Sequence, residues 1–190
     1  MDILQTITEE FNLTLTHAKN ILSLIDEGNT IPFIARYRKE MTGSCDDQVL
    51  RELFDRLTYL RGLEKRKQEV SSAIEEQGKL TEEIKNALEK AVTLTEVEDI
   101  YRPYKQKRKT RASVAIAKGL QPLADAILAQ DKNLDVEKEA EKYIPEEVPT
   151  AAEAIQGAQD IIAEIVSDDA ATRKKLRSFF IKHGEIVSAY

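Results

Sequence analysis

An uninterrupted apolar stripe in the middle of the chain constrains the fold more than any other sequence feature. Between the Asp46–Asp47 pair and Gly78, apolar side chains recur three and four residues apart, and only Gly62 interrupts the run of good helix formers. The stripe consists of Leu50, Leu53, Leu57, Leu60, Leu63, Val70 and Ile74. About 30 residues at 1.5 Å each predict one helix of roughly 45 Å, capped by Asp46 or Asp47 and buried along one face.

Helix signals recur on both sides of this stretch. Gly and Pro number only 7 and 5, and the abundant Ala, Leu, Ile, Glu and Lys lose little rotamer freedom in a helix. Thr95 with Glu98 and Thr150 with Glu153 form capping-box patterns. No stretch predicts a sheet. We therefore expect an all-α fold, a multi-helix bundle of nine or ten helices with a long central helix.

The clearest linker is the segment PEEVPT, which follows Ile144. It predicts a division into a helical domain over residues 1–145 and a helical segment over residues 150–190. In the last helix of that segment, Leu176, Phe179 and Phe180 lie three and four residues apart, and we expect them to be buried.

Composition indicates a soluble, cytoplasmic protein. The single cysteine, Cys45, cannot form an internal disulfide, which favours a reducing compartment. The first residues carry neither a basic nor an apolar signal region. No apolar run approaches the ~20 residues that span a bilayer, so no membrane contact is expected.

Catalytic and metal-binding patterns are missing from the sequence. His17 and His183 each lie apart from any nucleophile or second ligand, and Cys45 has no histidine nearby. A glycine-rich phosphate loop is also absent. We expect a protein that is not an enzyme and that needs no cofactor or metal.

A basic loop, Tyr101–Ala112, stands out in a chain whose formal net charge is -6. It contains Arg102, Lys105, Lys107, Arg108, Lys109 and Arg111 without one acidic residue. Tyr101 and Tyr104 interleave with these cations, a combination that suits stacking on bases and neutralising phosphates. Two other interpretations stay open: the acidic segment over 131–169 folds over the loop and neutralises it, or the loop is a solvated turn.

A second basic stretch, IPFIARYRKEMTG, follows Thr30. Arg36 and Arg38 alternate with apolar residues and flank Tyr37. One interpretation is a basic edge that faces a ligand. The interpretation we favour from the sequence is a short helix inserted in the core, with its arginines paired to acidic residues of the long helix.

Three motifs, TIPFIARYRKEMTG, LRGLEKRK with EEQGKLTEE, and VEDIYRPYKQKRKTRA, closely resemble the N-terminal region of the Tex family in order and spacing. These are bacterial transcription accessory proteins, related to a eukaryotic transcription elongation factor and histone chaperone. The resemblance implies a longer parent with a ribonuclease-H-like domain, helix-hairpin-helix elements and an RNA-binding OB-fold domain. It also implies that this chain is a fragment of that parent and has a helix-turn-helix-like part.

The resemblance and the charge pattern together give a functional hypothesis. We expect a non-catalytic module that binds RNA or DNA without sequence preference and organises the downstream domains of the parent. Protein partners would be RNA polymerase or ribosome-associated machinery. The alternative is a structural scaffold without nucleic-acid contact. The candidate nucleic-acid-binding residues are Arg36, Arg38, Arg102, Tyr104, Lys105, Lys107, Arg108, Lys109 and Arg111.

Overall fold

The computed structural model describes residues 2–105, 109–143 and 150–188, and over these ranges it contains twelve α-helices, one short 3-10 helix and no β-strand. The all-α prediction is confirmed. There are more helices than predicted because short ones, such as Lys39–Thr42, are too brief for apolar periodicity to reveal. No helix in these ranges combines the length and apolar character needed to cross a membrane.

The chain divides into two compact units, Met1–Val97 and Glu98–Tyr190. The helices are α1 Ile3–Glu10, α2 Leu15–Asp26, α3 Ile31–Tyr37, α4 Lys39–Thr42, α5 Asp47–Glu75, α6 Glu82–Lys90, α7 Leu94–Tyr101, α8 Arg111–Ala117, α9 Gln121–Leu128, α10 Val136–Glu141, α11 Ala151–Asp168 and α12 Ala170–His183. The 3-10 helix is Arg102–Tyr104. The predicted linker is residues 145–150, and all of it except Thr150 lies outside the described residues, so a division of the chain at that segment stays a prediction.

The long helix α5 organises the first unit. Its 29 residues extend about 44 Å, and the Asp46 carboxylate caps its N-terminus by accepting a hydrogen bond from the Val49 N–H at 2.8 Å. All seven residues of the predicted apolar stripe are at most 1% exposed, so the predicted helix and its buried face are confirmed. Helices α1, α3 and α6 pack against α5. Burying this stripe stabilises the unit through the hydrophobic effect.

The same face of α5 also buries a lysine that the sequence pattern did not single out. Lys67 is 6% exposed, and its Nζ lies 3.0 Å from the Glu64 carboxylate. Its Nζ also donates a hydrogen bond of 3.1 Å to the Glu89 carbonyl near the end of α6. A buried ammonium must be paired, and here the Glu64 contact lies within α5 while the bond to the Glu89 carbonyl attaches α6 to α5.

The second unit is built around α11, against which α8, α9 and α10 pack. Its core consists largely of alanines: Ala112, Ala115, Ala124, Ala140, Ala154 and Ala158 join Leu120, Leu123 and Ile161. Gly157 of α11 lies against Leu120, since a Cβ on this glycine would be 2.4 Å from Leu120 Cδ1. Small side chains therefore allow these short helices to approach closely.

The burial predicted for the apolar side of α12 is wrong. Leu176, Phe179 and Phe180 are 53%, 58% and 64% exposed. Arg173 and Arg177 instead attach the helix by bonding to a carboxylate of α7. Leu176 and Phe180 lie three and seven residues after Arg173 and so share the helix face of the two arginines, yet they stay more than half exposed.

Candidate nucleic-acid interface

Two candidate regions carry the residues predicted to bind nucleic acid, one in each compact unit. The first is the α3–α4 corner, which we define as Arg36, Tyr37, Arg38 and Lys39. Ile34 is fully buried and anchors α3 in the core of the first unit. The chain then leaves the helical conformation at Arg38, with φ -128° and ψ 26°, before α4 begins. This break presents the corner at the surface.

The cations of the α3–α4 corner lie beside aromatic rings and are exposed to solvent. The guanidinium of Arg36 lies 5.9 Å from the centre of the Tyr37 ring, and that of Arg38 lies 5.1 Å from the centre of the Phe33 ring. The Tyr37 ring itself is 59% exposed. Cation–aromatic contacts of this kind hold a guanidinium in place without neutralising its charge.

The ion pairs expected between these arginines and the long helix are not found: among the described residues, neither Arg36 nor Arg38 forms an ion pair. The Arg38 guanidinium instead donates to the Tyr37 carbonyl at 3.2 Å. The expected pairing of α3 arginines with α5 carboxylates was wrong. In the ion pairs that α5 forms with α1 and α2, α5 contributes the arginines and the other two helices contribute the carboxylates.

Those pairs join Arg56 to Glu10 of α1 and Arg61 to Asp26 of α2, each through two hydrogen bonds of 2.6–2.9 Å. The hydrogen bonds from Arg56 hold the pKa of Glu10 below its ordinary value. The bonds from Arg61 do the same for the pKa of Asp26. The arginines of α5 thus fix the neighbouring helices and leave the corner cations without internal counterions among the described residues.

The second region is the basic loop of the second unit. Arg102 and Tyr104 lie in the 3-10 helix, Lys105 follows it, and Lys109 precedes the cap of α8. The α8 cap is a reciprocal pair, in which the Thr110 N–H donates to Ser113 Oγ and the Ser113 N–H donates to Thr110 Oγ1. The candidate residues Lys107 and Arg108 lie outside the described residues.

Three of the loop cations are paired with carboxylates of their own unit. Arg102 Nε lies 2.7 Å from Asp168 Oδ1, and Arg111 Nε lies 3.6 Å from Asp160 Oδ1. Lys105 bonds to Glu98 and lies over the Tyr101 ring. Two of these carboxylates belong to the acidic segment over 131–169, which supports the interpretation that this segment neutralises the loop. Lys109 is exposed and has no ion-pair partner among the described residues.

A buried carboxylate that sequence reasoning missed also lies in this unit. Asp99 of α7 is 5% exposed and accepts hydrogen bonds from Arg173 Nε at 2.7 Å and Arg177 Nη2 at 2.6 Å. Burial alone would raise the pKa of Asp99, but the two guanidinium hydrogen bonds outweigh it and lower that pKa. These partners are 74 and 78 residues away in sequence, so no local pattern indicates them.

The other reactive side chains have structural contacts. The Cys45 thiol donates a 3.0 Å hydrogen bond to the Thr42 carbonyl, and burial raises the pKa of this thiol. The His183 ring lies 5.0 Å from the Phe179 ring. A Cβ on Gly43 would lie 2.5 Å from His17 Nδ1, so His17 fills the space beneath this glycine. Within the described ranges, no group of acidic, histidine or cysteine residues is placed to hold a metal ion.

The helical core and the two cationic regions define an all-helical module with a charge-patterned surface. Residues 1–75 match the family model of the Tex-like protein N-terminal domain, and residues 131–190 match the Tex central region-like model. The chain belongs to the Tex family, which confirms the resemblance seen in the sequence motifs.

Relatives of this chain share much of its sequence. It is 49% identical to Uncharacterized protein YdcI of Bacillus subtilis over 187 residues, which is 97% of this chain and 26% of that protein. It is 45% identical to Transcriptional accessory protein Tex of Neisseria gonorrhoeae over 186 residues, 98% of this chain and 24% of that protein. It is 32% identical to S1 RNA-binding domain-containing protein 1 of Homo sapiens over 181 residues, 93% of this chain and 18% of that protein. The chain thus spans about a quarter or less of the relatives it matches.

Proposed function

We propose that the chain is a non-catalytic helical module of a transcription accessory protein that contacts the backbone of RNA or DNA without sequence preference. The observation that carries this proposal is the α3–α4 corner. Arg36, Arg38 and Lys39 are exposed there beside an exposed tyrosine ring. No carboxylate of the described residues neutralises the two arginines.

This combination suits a single-stranded polyanion in particular. Arginine and lysine neutralise phosphates, and an exposed aromatic ring stacks on any base because every base has a π-face. Neither contact reads base edges, so binding would be independent of sequence. Two relatives carry the words transcriptional accessory and RNA-binding in their names, which agrees with such a role for the longer protein.

The helix-turn-helix-like part implied by the resemblance belongs to the same proposal. Helices α2 and α3 are joined by a four-residue turn, Glu27 to Thr30, in which Gly28 has a φ of 81°. A short turn of this kind with a glycine is typical of helix-turn-helix units, whose second helix contacts the nucleic acid. Here the second helix would be α3, which ends in the α3–α4 corner.

The proposal is tested by reversing the two corner arginines with R36E/R38E. Binding of a fluorescein-labelled oligouridylate of about 16 nucleotides is measured by anisotropy between about 50 and 200 mM salt. If the three corner cations meet phosphates, the logarithm of the affinity falls with the logarithm of salt with a slope of about -2. We expect R36E/R38E to lose most of the affinity and to flatten the slope.

The control is K79E/K90E, which makes the same charge change at two exposed lysines, one before α6 and one at its last residue. It should bind nearly as wild type does. Equal losses in both variants would show that only the net charge matters. Unchanged binding by R36E/R38E would refute the role of the corner.

A second function is favoured by a separate observation, the exposed apolar side of α12. Leu176, Phe179 and Phe180 form a surface that suits protein contact. In this scaffold function, α12 binds a neighbouring domain of the longer protein. We expect F179S/F180S in the full-length protein to increase protease cleavage near α12 without changing RNA affinity. An unchanged cleavage pattern would contradict the scaffold function.

A further inference from the structure

The carboxylates of α11 face the cations of the basic loop across a groove in the second unit. One wall of this groove carries cations and the other carries acids, and the polar residues that line it are Arg102, Lys105, Thr110, Arg111, Asp160, Glu164, Ser167 and Asp168. Within the part of the chain that the structure describes, Arg102 pairs with Asp168 and Arg111 pairs with Asp160 across it. In this groove the loop arginines therefore bind anionic groups, and these groups are carboxylates of the protein itself.

The spacing of these acids makes them a substitute for a phosphate backbone. Asp160, Glu164 and Asp168 follow one another at intervals of four residues, so they share one face of α11. Four residues of α-helix rise about 6 Å, which sets a regular row of negative charges along the helix. A row of this kind presents to the loop what a strand of nucleic acid presents, a linear series of anionic oxygens.

The cations of the ion pairs across the groove are exposed to solvent, so an external anion can reach them. The Arg111 side chain is 86% exposed, and its pair with Asp160 is long at 3.6 Å. Arg102 is 46% exposed, but its partner Asp168 is only 11% exposed. The long Arg111–Asp160 pair is therefore the weaker of the two, and an external phosphate replaces its carboxylate more readily than that of Asp168.

We infer that Arg102 and Arg111 of the basic loop form a second nucleic-acid surface, which α11 holds in a neutralised state by acting as an internal competitor. This inference rests on the proposed function, because it takes nucleic acid as the ligand. Binding through Arg102 and Arg111 requires these two cations to exchange α11 carboxylates for phosphates. The affinity of the loop for RNA is thereby set by the acids of α11 as much as by its own cations.

The test removes the charge of the competitor while keeping the shape of its side chains. D160N/D168N is compared with wild type in the oligouridylate assay at about 50 to 200 mM salt. Loss of two pairs whose cations are solvent-exposed predicts binding that is roughly three- to tenfold tighter at low salt. Two new phosphate contacts predict a salt slope steeper by about 1.4, since each contact on a single strand adds about 0.7.

Asp168 is largely buried, so replacing it can also disturb the fold. D160N is therefore measured alone as well, and we expect it to change the salt slope by about half as much as D160N/D168N. A third variant adds R111E to D160N/D168N and should abolish the gain, because the gain requires a loop cation. The matched control is E137Q/E141Q, which makes the same change in net charge at two exposed glutamates of α10. It should leave affinity and slope unchanged.

The inference is overturned if D160N/D168N and D160N show no gain, if E137Q/E141Q gains equally, or if R111E leaves the gain in place. It fails alone if wild type binds through the corner but neutralising α11 has no effect. If R36E/R38E binds as wild type does while D160N/D168N shows its gain, the corner proposal fails and this inference stands. Absence of binding by every protein overturns both.

Discussion

Replacing Asp99 with asparagine removes the charge from the buried carboxylate that holds α12. The wild-type side chain accepts one hydrogen bond from Arg173 and one from Arg177. Asparagine keeps the size of the side chain, but it has one acceptor oxygen in place of two and no charge. One arginine therefore loses its partner and the other keeps a weaker bond, so the attachment of α12 to α7 weakens.

The size of the effect follows from the exposure of the partners. Hydrogen bonds to charged groups contribute about 1.5–3 kcal/mol each, so two at the low end contribute about 3 kcal/mol. The side chains of Arg173 and Arg177 are 32% and 36% exposed, and water can replace part of what they lose. We therefore expect D99N to lower the free energy of opening α12 by about 2 kcal/mol.

Hydrogen exchange of the α12 backbone amides is the appropriate assay, because two compact units need not unfold together. A loss of about 2 kcal/mol corresponds to roughly 30-fold faster exchange. The matched control is D55N, at an exposed aspartate of α5 that has no ion pair with the described residues. Exchange in α12 of D99N within about twofold of wild type would refute the reasoning.

The same variant gives a pH dependence whose sign follows from the pKa of Asp99. This pKa is lowered from an ordinary value of 3.8, so the carboxylate stabilises the fold above that pH and loses its contribution as pH falls through the folded-state pKa. The difference between wild type and D99N in the free energy of opening α12 should have its full size near neutral pH and should become smaller below about pH 4. A difference that stays constant as the pH falls well below about 4 would show that charge is not its cause.

Two helix glycines give opposite predictions for the same substitution, each measured by urea unfolding. Gly62 of α5 has open space where a Cβ would lie, so Gly62→Ala should stabilise the protein by about 0.5–1 kcal/mol through helix propensity, and a loss would contradict this. Gly157 of α11 faces the buried Leu120, so Gly157→Ala should destabilise by about 1–2 kcal/mol despite the same propensity gain. A stabilising Gly157→Ala would show that Leu120 has room to move.

The first unit was largely predictable because its longest helix satisfies every local rule at once. The apolar stripe from Leu50 to Ile74 repeats without interruption, and Asp46 caps it. Short elements were less predictable. The capping box expected at Thr95 is wrong: α7 begins at Leu94, and Thr93 accepts the hydrogen bond from the Glu96 N–H instead. Alternative threonines two residues apart compete for the same role, and the sequence does not decide between them.

The site was less predictable than the fold because its electrostatics depend on distant partners. The pairing of Arg102 with Asp168 joins residues 66 positions apart, and charge pattern indicated only that some acid of that segment could reach the loop. At the corner of Arg36 and Arg38 the error was the reverse, because ion pairs were expected there and none was found among the described residues. The corner arginines were expected to pair with α5, but α5 directs its own arginines to Glu10 and Asp26. The periodicity of apolar residues indicates which helix face is buried, but it does not indicate which acidic and basic residues form ion pairs.

The alanine-rich core of the second unit has a consequence for how this module tolerates mutation. An alanine has no side-chain rotamers, so burying it costs no side-chain entropy. For the same reason it cannot change rotamer to make room for a larger neighbour. The leucine core of the first unit can exchange one aliphatic shape for another and repack. Around α11, almost any enlargement must push two backbones apart. Random variation should therefore be accepted in the first core and rejected in the second, whatever ligand either unit binds.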